Sequence, residues 1–348
     1  MSTNKQKTTD ISELGEFGLI NRITKDIRIN HKNTLKGVGD DAAVIDYGNT
    51  CALVTTDLLV EGIHFNLIYT PLKHLGYKAV VVNLSDVYAM NATPKQITVS
   101  IAISAKFTVE HIEELYEGIY LACEHYKVDL IGGDTSSSLT GLAISITAIG
   151  EAKKENITYR STAKKNDILC VTGNLGAAYM GLQLLEREKE IFKTNPTSRP
   201  SLEGYDYILQ RQLKPEARKD MMELFKEINI KPTSMIDISD GLSSEIMHIC
   251  KDSNVGCKIF QDKIPIDENT AQMADEFNIE PLIAALNGGE DYELLFTIDI
   301  KDLDKIKDQP MIHAIGHIAD KELGTVMISN SGQSIELKAQ GWNQMNKQ

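Results

Sequence analysis

The amino-acid sequence predicts a mixed α/β (α+β) fold with two domains. Its 348 residues are enough for two domains that each bury a full core. Residues Ile97–Ser104 alternate between apolar and polar types, as a half-buried strand does. Apolar residues at helical spacing follow from Thr108, the expected N-cap, to Tyr126. Strand and helix patterns of these kinds recur along the chain, which favours the α/β class.

The first half of the chain is predicted to be rich in strands and to contain two long helices. In order, we expect a frayed arm over 1–15, a helix at Glu16–Ile27, strands at Ala42–Ile45 and Cys51–Thr55, a helix at Leu72–Met90, the strand and helix described above, and a strand at Leu142–Ile149. The chain then turns polar at Gly150–Thr162. We therefore predict a domain boundary there, with one domain at 1–150 and a C-terminal α/β domain at 151–348.

The second half is predicted to hold another α/β set. We expect strands at Asp167–Thr172, Cys257–Phe260, Tyr292–Thr297 and Val326–Ser329, and helices at Gly176–Glu188, Tyr205–Leu213, Pro215–Ile228 and Gly241–Lys251. The polar segment Phe192–Glu203 contains two prolines, so we expect a loop there.

Composition narrows the possible partners and the compartment. The net charge of −13 argues against nucleic acid, whose phosphates need a basic surface, and against a membrane surface. The five cysteines are scattered without CxxC spacing, as in proteins of a reducing compartment. The first ten residues are polar, unlike a signal peptide, and no apolar run approaches the ~20 residues that span a bilayer. We expect a cytoplasmic protein.

Acidic residues and small turn residues occur together at six points of the chain. The six strings are Gly39–Asp41, Thr55–Asp57, Asn83–Asp86, Gly132–Thr135, Asp237–Gly241 and Gly288–Tyr292. Most adjoin a short apolar run, so we expect their carboxylates at the ends of strands or helices. Crowded carboxylates need cations, and oxygen ligands are those that Mg²⁺ prefers. Together the strings predict a Mg²⁺-dependent phosphoryl-transfer enzyme.

Each string also has a purely structural explanation. Asp, Gly, Ser and Asn are common turn residues, and Asp240 is a possible N-cap for the helix that follows Gly241. Gly173–Gly176 is only a weak match to a phosphate loop, and the chain contains no GxxxxGK[ST] string. The glycine-rich loop, HRD and DFG elements of protein kinases are absent as well. The sequence therefore disfavours both of these kinase classes.

Several of the strings resemble the thiamine-monophosphate kinase family. The similar segments are Gly37–Val44, Thr55–Phe65, Asn83–Met90, Gly132–Thr135, Ile236–Leu242 and Gly288–Leu294, and the likeness extends from Glu13 to Trp342. The resemblance implies a two-domain fold like that of aminoimidazole ribonucleotide synthetase, with N-terminal domains that pair into a β-barrel across a homodimer. It also implies ATP-dependent, Mg²⁺-dependent phosphorylation of thiamine monophosphate to thiamine diphosphate, with metal, ATP and the dimer contact assigned to residues 1–150.

The resemblance assigns roles to individual residues. The implied Mg²⁺ ligands are Asp41, Thr55, Thr56, Asp57, Asp86, Asp134, Asp237 and Asp240, among which Asp57, Asp86 and Asp240 are taken as catalytic. The implied ATP contacts are Tyr116, Gly133, Asp134, Arg160 and Ser239. His64, Glu290 and Trp342 are expected to contact thiamine monophosphate, with Trp342 stacked on its rings.

Some of these residues keep an alternative interpretation. Tyr116 lies four residues after Ile112 on an apolar helix face, which fits a core residue equally well. His64 and Trp342, each taken alone, are typical packed side chains. Asn91 and Asn166 stand where the family usually has glycine, and Asn is the next most tolerant residue of a left-handed backbone.

Related functions on the same fold are less well supported. Selenophosphate synthetases use a Cys or selenocysteine near the N-terminus, whereas the first cysteine here is Cys51. A hydrogenase-maturation relative would end in a reactive cysteine, whereas this chain ends in Gln348. A non-catalytic cation- or nucleotide-binding protein would lack one or more of the six acidic positions, and all six are filled.

The implied acceptor, thiamine monophosphate, is already a phosphate monoester. In-line transfer to it therefore needs no strong general base.

Overall fold

The computed structural model describes residues 11–338 of the chain. The helices are α1 Gly15–Thr24, α2 Leu72–Ala89, α3 Val109–Tyr126, α4 Ala177–Thr194, α5 Asp206–Leu213, α6 Lys219–Glu227, α7 Leu242–Ser253, α8 Glu268–Glu276, α9 Pro281–Asn287 and α10 Leu303–Ile306. The strands are β1 Thr34–Lys36, β2 Ala43–Asp46, β3 Cys51–Val60, β4 Thr93–Ile103, β5 Asp129–Ser137, β6 Ala143–Ala152, β7 Ile168–Thr172, β8 Ser234–Asp237, β9 Gly256–Phe260, β10 Leu294–Ile298, β11 Ile312–Ala319, β12 Thr325–Ile328 and β13 Ser334–Glu336. The mixed α/β class is confirmed.

The first sheet has the strand order β1-β2-β3-β6-β4-β5, with only β4 and β5 parallel. One face carries the buried residues Leu53, Ile97, Val99, Ile144 and Ile146, and α2 packs on it. The opposite face is uncovered within the chain, because alternate residues of β3 such as Thr56 and Leu58 are exposed. This sheet is therefore half-buried, as the alternation of Ile97–Ser104 predicted.

Two glycines allow α2 and α3 to pack backbone against backbone. A Cβ atom on Gly118 would lie 1.8 Å from the carbonyl oxygen of Lys73, and one on Gly76 would lie 2.0 Å from that of Leu115. No side chain fits at either position. The close contact fixes the position of α2 relative to α3. Helix α2 carries Lys78 and Asp86, two residues of the site described below.

The second sheet has the order β13-β12-β9-β11-β7-β10-β8. Every residue of β8 and β10 is buried, so these strands are covered on both faces. Met235 of β8 and Phe296 of β10 belong to the same buried apolar cluster as Leu84 of α2. The end of β8 thereby lies beside the middle of α2.

Three acidic strings occupy positions that differ from the expectation. Thr55–Asp57 lies in the middle of β3, Asn83–Asp86 lies inside α2, and Gly132–Thr135 lies within β5 rather than at element ends or turns. In the first two strings, turn-forming residue types are tolerated because their side chains find partners, such as Thr55 with Asp86 and Ser85 with Asp237. The left-handed backbone expected at Asn91 and Asn166 is confirmed by φ angles of 55° and 73°.

The expected loop at Phe192–Glu203 is shorter, since α4 continues to Thr194. The sequence-based assignment also did not predict the helices α8, α9 and α10 or the strands β1, β5, β11 and β13. Among residues 11–338, no helix has the length and apolar character needed to cross a bilayer.

Candidate active site

Four acidic side chains from separate parts of the chain form a carboxylate cluster: Asp41, Asp57, Asp86 and Asp237. Asp41 precedes β2, Asp57 lies on β3, Asp86 on α2 and Asp237 at the end of β8. The folded chain thus gathers at one place carboxylates that are up to 196 residues apart, from Asp41 to Asp237.

Short hydrogen bonds from neutral groups fix the orientation of the cluster. The Thr55 hydroxyl donates to Asp86 Oδ2 at 2.6 Å. The Ser85 hydroxyl donates to Asp237 Oδ2 at 2.6 Å. Neutral donors hold these carboxylates in place without cancelling their charge.

The electrostatics of the cluster are dominated by burial and mutual repulsion. Burial, followed by the charge of Asp237, raises the pKa of Asp57 to about 6. Burial, followed by the charge of Asp57, raises the pKa of Asp86 well above its usual value. Arg160 opposes burial at Asp41 and Asp237, whose pKa values its charge lowers, and it forms an ion pair with Asp41 and lies 3.6 Å from Asp40. The cluster contains more negative charge than this one arginine can balance.

The cluster suits a hard divalent cation. Within residues 11–338, no group of three His, Cys, Asp or Glu side chains is arranged as a complete metal site. Mg²⁺ does not require one, because it keeps several waters and binds through one or two carboxylates together with substrate phosphates. Asp41 Oδ2 is buried and has no hydrogen-bond partner, which leaves an oxygen ready to accept a cation or its water. The donor set therefore fits Mg²⁺ bound with phosphates.

Asp240 lies beside this cluster in the loop between β8 and α7. The loop is held by Glu245, whose Oε1 accepts hydrogen bonds from the backbone N–H groups of Ser239 at 3.1 Å and Asp240 at 2.8 Å. Asp240 does not cap α7, because Gly241 occupies the N-cap position without a side-chain cap. Burial, followed by the charge of Glu16, raises the pKa of Asp240 to about 6.

A cavity of about 460 Å³ opens next to this loop. Its lining includes His64, Phe65, Tyr69, Lys78, Gln183, Glu186, Lys189, Gln212, Ser239, Asp240 and Glu290. The structure thus brings the predicted substrate residues His64 and Glu290 together with Ser239 and Asp240. The size falls within the roughly 300–1,000 Å³ that is usual for small-molecule sites.

Glu290 is held rigidly at the wall of this cavity. Its Oε1 lies 2.8 Å from the Lys78 ammonium, and its Oε2 accepts a hydrogen bond from Gln212 Nε2 at 2.9 Å. Its backbone has a left-handed φ of 57°, and its N–H donates to the Ser239 carbonyl at 2.7 Å. Such strained backbone in a non-glycine residue is often found at functional sites.

His64 presents one defined tautomer when it is neutral. Its Nδ1 accepts a hydrogen bond from the backbone N–H of Val60 at 3.0 Å, so the neutral ring carries its proton on Nε2. Burial lowers the pKa of His64, against the opposing charge of Glu290. The ring is therefore a neutral hydrogen-bond donor near pH 7.

Asp134 is far from the carboxylate cluster within one chain. It pairs with Ser100, which pairs with Ser145, which in turn pairs with Leu58, the neighbour of Asp57. Three interstrand spacings amount to roughly 14 Å. Asp134 is exposed on the outer strand β5.

Three other predicted residues are also not brought into the cluster. The Thr56 hydroxyl is on the uncovered face of the sheet, where it accepts a hydrogen bond from Thr147 at 3.2 Å. Tyr116 packs edge-on against Tyr120 on α3. Gly133 has a packing reason to be glycine, since a Cβ there would lie 1.8 Å from the Val99 carbonyl oxygen. Trp342 lies outside the described residues.

Two acidic neighbours in the string Gly288–Tyr292 lie in different environments. Glu290 faces the cavity, whereas Asp291 is buried and its Oδ2 accepts a hydrogen bond from the Gly176 N–H at 2.8 Å. The Gly176 N–H, at the start of α4, is therefore already bonded to a carboxylate of the protein itself. This is the position at which the weak phosphate-loop pattern of Gly173–Gly176 would have placed a phosphate. The adjoining Glu293 is paired with two arginines, Arg211 at 3.1 Å and Arg218 at 2.6 Å.

Reasoning from the sequence missed three residues of the site: Lys78, Gln212 and Glu245. Lys78 is only 4% exposed and interrupts the apolar run of α2, which was a readable signal because lysine is almost never buried without a partner. The positions of Gln212 and Glu245 carried no comparable signal, since both lie in polar surroundings of the sequence.

Comparison with known proteins identifies related chains. Residues 39–152 match the family model of the AIR synthase related protein, N-terminal domain. The thiamine-monophosphate kinase of Bacillus subtilis is 35% identical over 336 residues, which cover 95% of this chain and 99% of that protein. The thiamine-monophosphate kinase of Aquifex aeolicus is 36% identical, with coverage of 82% and 87%.

Solved structures agree with these relatives. AaThiL complexed with AMPPCP and TMP superposes with a TM-score of 0.82 at 32% identity, covering 97% of this chain and 99% of that chain. The hydrogenase maturation protein HypE in complex with ATP has a TM-score of 0.67 at 17% identity, covering 94% of this chain and 96% of that one. The second likeness concerns the fold alone.

Proposed function

Because the chain belongs to the thiamine-monophosphate kinase family, we propose that it transfers the γ-phosphoryl group of ATP to thiamine monophosphate and forms thiamine diphosphate. The observation that carries the proposal is the adjacency of two sites. The cavity with His64 and Glu290 shares Ser239 and Asp240 with the loop that follows Asp237 of the carboxylate cluster. An acceptor in the cavity would therefore present its phosphate to nucleotide phosphates held at the cluster.

The chemistry needs charge balance and alignment more than proton transfer. An oxygen of the acceptor phosphate attacks the γ-phosphorus of ATP, the bond from that phosphorus to the bridging oxygen breaks, and ADP leaves with the electron pair. The attacking phosphate is already largely dianionic near pH 7, so no strong base is required. We propose that the transfer is direct and in line, without a phosphoenzyme.

Mg²⁺ belongs to this proposal as the cation of the cluster. When bound, it supplies positive charge that offsets the repulsion between the two anionic substrates. The side chains suited to hold it are Asp41, Asp57, Asp86, Asp237 and Asp240, with the Thr55 hydroxyl supporting Asp86. Arg160, which reaches Asp41, is placed to contact a phosphate once a cation shares the charge of that carboxylate.

The uncovered face of the first sheet supports a homodimer. Leu58 and Ile131 are 57% and 58% exposed, and exposed apolar side chains of this size suggest a contact surface. We propose that the domain at 1–150 pairs with its copy there to form a β-barrel. In such a pair, Tyr116, Gly133 and Asp134 would complete an ATP site with residues of the other subunit, and Thr56 and Asp134 would serve as Mg²⁺ ligands. The division into domains at 1–150 and 151–348 remains part of this proposal.

The acceptor assay tests the proposed function. The purified chain is incubated with Mg²⁺-ATP and either thiamine monophosphate or thiamine, and the products are identified by mass. We expect thiamine diphosphate from the first acceptor and no product from the second, because only a phosphate can complete the bridge between the two anions. Asp57→Asn serves as the control for contaminating kinases, since loss of a carboxylate at the cluster should lower kcat by about 10²- to 10³-fold. Efficient phosphorylation of thiamine would contradict the proposal.

A further inference from the structure

Glu245 lies beneath the loop that carries Asp240 and is itself almost inaccessible. It belongs to the first turn of α7 and is only 2% exposed. One of its oxygens, Oε1, accepts hydrogen bonds from two successive backbone N–H groups, those of Ser239 at 3.1 Å and Asp240 at 2.8 Å. A residue so buried acts on a ligand only through the residues that it holds.

These hydrogen bonds join the loop to the helix that follows it. A glutamate in the first turn of a helix ordinarily bonds to the N-cap residue. Glu245 instead reaches back past the N-cap residue Gly241, which has no side-chain cap, to the two residues before it. An oxygen of a carboxylate or of a protonated carboxyl group accepts N–H bonds, so the arrangement does not depend on the charge of Glu245.

The other side of the same loop packs against the backbone around Glu290. The Ser239 carbonyl accepts a hydrogen bond from the N–H of Glu290 at 2.7 Å. A Cβ atom on Gly289 would lie 2.5 Å from the Ser239 carbonyl oxygen, so the two backbones are in direct contact. A shift of the loop therefore moves Glu290 as well as Asp240.

We propose that Glu245 is a positioning residue for phosphoryl transfer. By fixing the loop at residues 238–241, it sets Asp240 beside the carboxylate cluster and Glu290 at the wall of the cavity. The inference rests on the proposed function, because it takes these two residues as groups on the metal side and the acceptor side of one reaction. In-line transfer needs close alignment of the two substrates, and a misplacement of about 1 Å can cost about 10²-fold in rate. One buried side chain thus controls both the Mg²⁺ requirement and the affinity for the acceptor.

Hydrogen exchange of the metal-free protein tests this geometry without substrate. Glu245→Met fills a similar space but removes the acceptor, and Glu245→Gln keeps a carbonyl oxygen. In EDTA, the amides of Ser239 and Asp240, followed by mass spectrometry in peptides that cover residues 237–242, should exchange slowly in the wild type. We expect them to exchange about 10-fold faster in Glu245→Met, and Glu245→Gln to stay within about 3-fold of the wild type.

Steady-state kinetics test the effect on the reaction. Glu245→Met should lower kcat by about 10- to 100-fold, and should raise both KM for thiamine monophosphate and the Mg²⁺ concentration at half-maximal rate by about 10-fold. Glu245→Gln should keep all three constants within about 3-fold, because hydrogen bonds rather than charge hold the loop. Rescue by glutamine separates a positioning residue from a metal ligand, which requires the carboxylate charge.

A matched substitution controls for loss of stability alone. Ile249 lies one turn beyond Glu245 on α7 and is fully buried in the apolar core. Ile249→Ala should lower the melting temperature by leaving a cavity, while kinetics and exchange in residues 237–242 stay as in the wild type at a temperature at which the protein is folded. Glu245→Ala also removes the acceptor, so the comparison does not depend on whether one replacement folds.

The outcomes separate the inference from the proposed function. Rapid exchange of the two amides in the wild type overturns the inference, and that measurement needs no variant. Wild-type exchange and kinetics in a folded Glu245→Met overturn it as well, as does a Glu245→Gln protein that is impaired as severely as Glu245→Met. The same kinetic losses in Ile249→Ala would assign the effect to general destabilisation and overturn it too. A wild type that forms no thiamine diphosphate overturns the proposed function, whereas the exchange data still decide whether Glu245 holds the loop.

Discussion

Two groups of buried carboxylates in this protein differ in the cations that accompany them. In the carboxylate cluster, the carboxylates of Asp86 and Asp237 accept hydrogen bonds from neutral hydroxyls, and Arg160 pairs with Asp41 at the edge. In the second group, which we call the buried ion network, Glu293 and Asp291 lie between Arg211 and Arg218. The first group has fewer cations than carboxylates, whereas the second has two arginines beside its two carboxylates.

The difference separates binding from structure. Glu293 uses both oxygens on arginines and also accepts a hydrogen bond from the Thr172 hydroxyl at 2.6 Å, so it has no capacity left for a ligand. The carboxylates of the cluster repel one another and raise each other's pKa. A buried charge that the protein leaves unbalanced is a charge that a ligand can balance. A shortage of cations beside buried carboxylates thus indicates the ligand-binding site better than the number of acidic residues does.

The largest expected effect comes from breaking the buried ion network. Glu293→Gln leaves Arg211 and Arg218 with much less compensating charge in a buried place. We expect the free energy of unfolding to fall by about 3–5 kcal/mol, because an unpaired buried charge is far more costly than the pair. Chemical denaturation at pH 7.5 measures it.

An exposed ion pair supplies the matched control for that variant. Lys73 and Glu117 are 3.0 Å apart but have side chains 45% and 61% exposed, so Glu117→Gln should be nearly neutral. If Glu293→Gln unfolds no more easily than Glu117→Gln, the contrast between the two groups of carboxylates is wrong.

The second prediction concerns the same kind of substitution in the carboxylate cluster. The pKa of Asp57 is about 6 in the folded chain, against an ordinary value of 3.8. The folded state therefore holds this proton more tightly, and stability without metal should decline as pH rises from about 4 through about 6. Asp57→Asn removes this penalty, which is on the order of 3 kcal/mol above pH 7.

Unfolding curves in EDTA between pH 4 and 8 measure this effect. Asp57→Asn should be more stable than the wild type at pH 8 and nearly equal to it at pH 4. That is the opposite sign to Glu293→Gln, although both changes replace a buried carboxylate by an amide. A variant that is less stable than the wild type at pH 8 would show that Asp57 is a structural residue.

The sequence predicted the members of the cluster better than their surroundings. Resemblance to the family selected Asp41, Asp57, Asp86 and Asp237, which the structure places together. The acidic string Gly288–Tyr292 was ambiguous, because neighbouring residues in a turn point to opposite sides. Only the fold shows that Glu290 reaches the cavity while Asp291 is buried.

Two elements of the fold show the same limit. The alternation at Ile97–Ser104 was sufficient to predict β4, because one face of the first sheet is open and the pattern is visible. Strand β11 carries the glycine Gly316 at a point where its register shifts, which interrupts the alternation that would have revealed it.

The smallest predicted effect, and the sharpest test of the comparison, is the response to Mg²⁺. A cation that binds only the folded state raises the free energy of unfolding by about 2.7 kcal/mol at a concentration of 100 times its Kd. We expect this increment in the wild type at pH 8, a similar one in Glu293→Gln, and a much smaller one in Asp57→Asn, because the carboxylate cluster, unlike the buried ion network, is short of positive charge. KCl at matched ionic strength controls for general screening of the acidic chain. Equal stabilisation of all three proteins by Mg²⁺ would mean that the ion acts on the net charge rather than at the cluster, and the distinction between the two groups of carboxylates would then have no functional meaning.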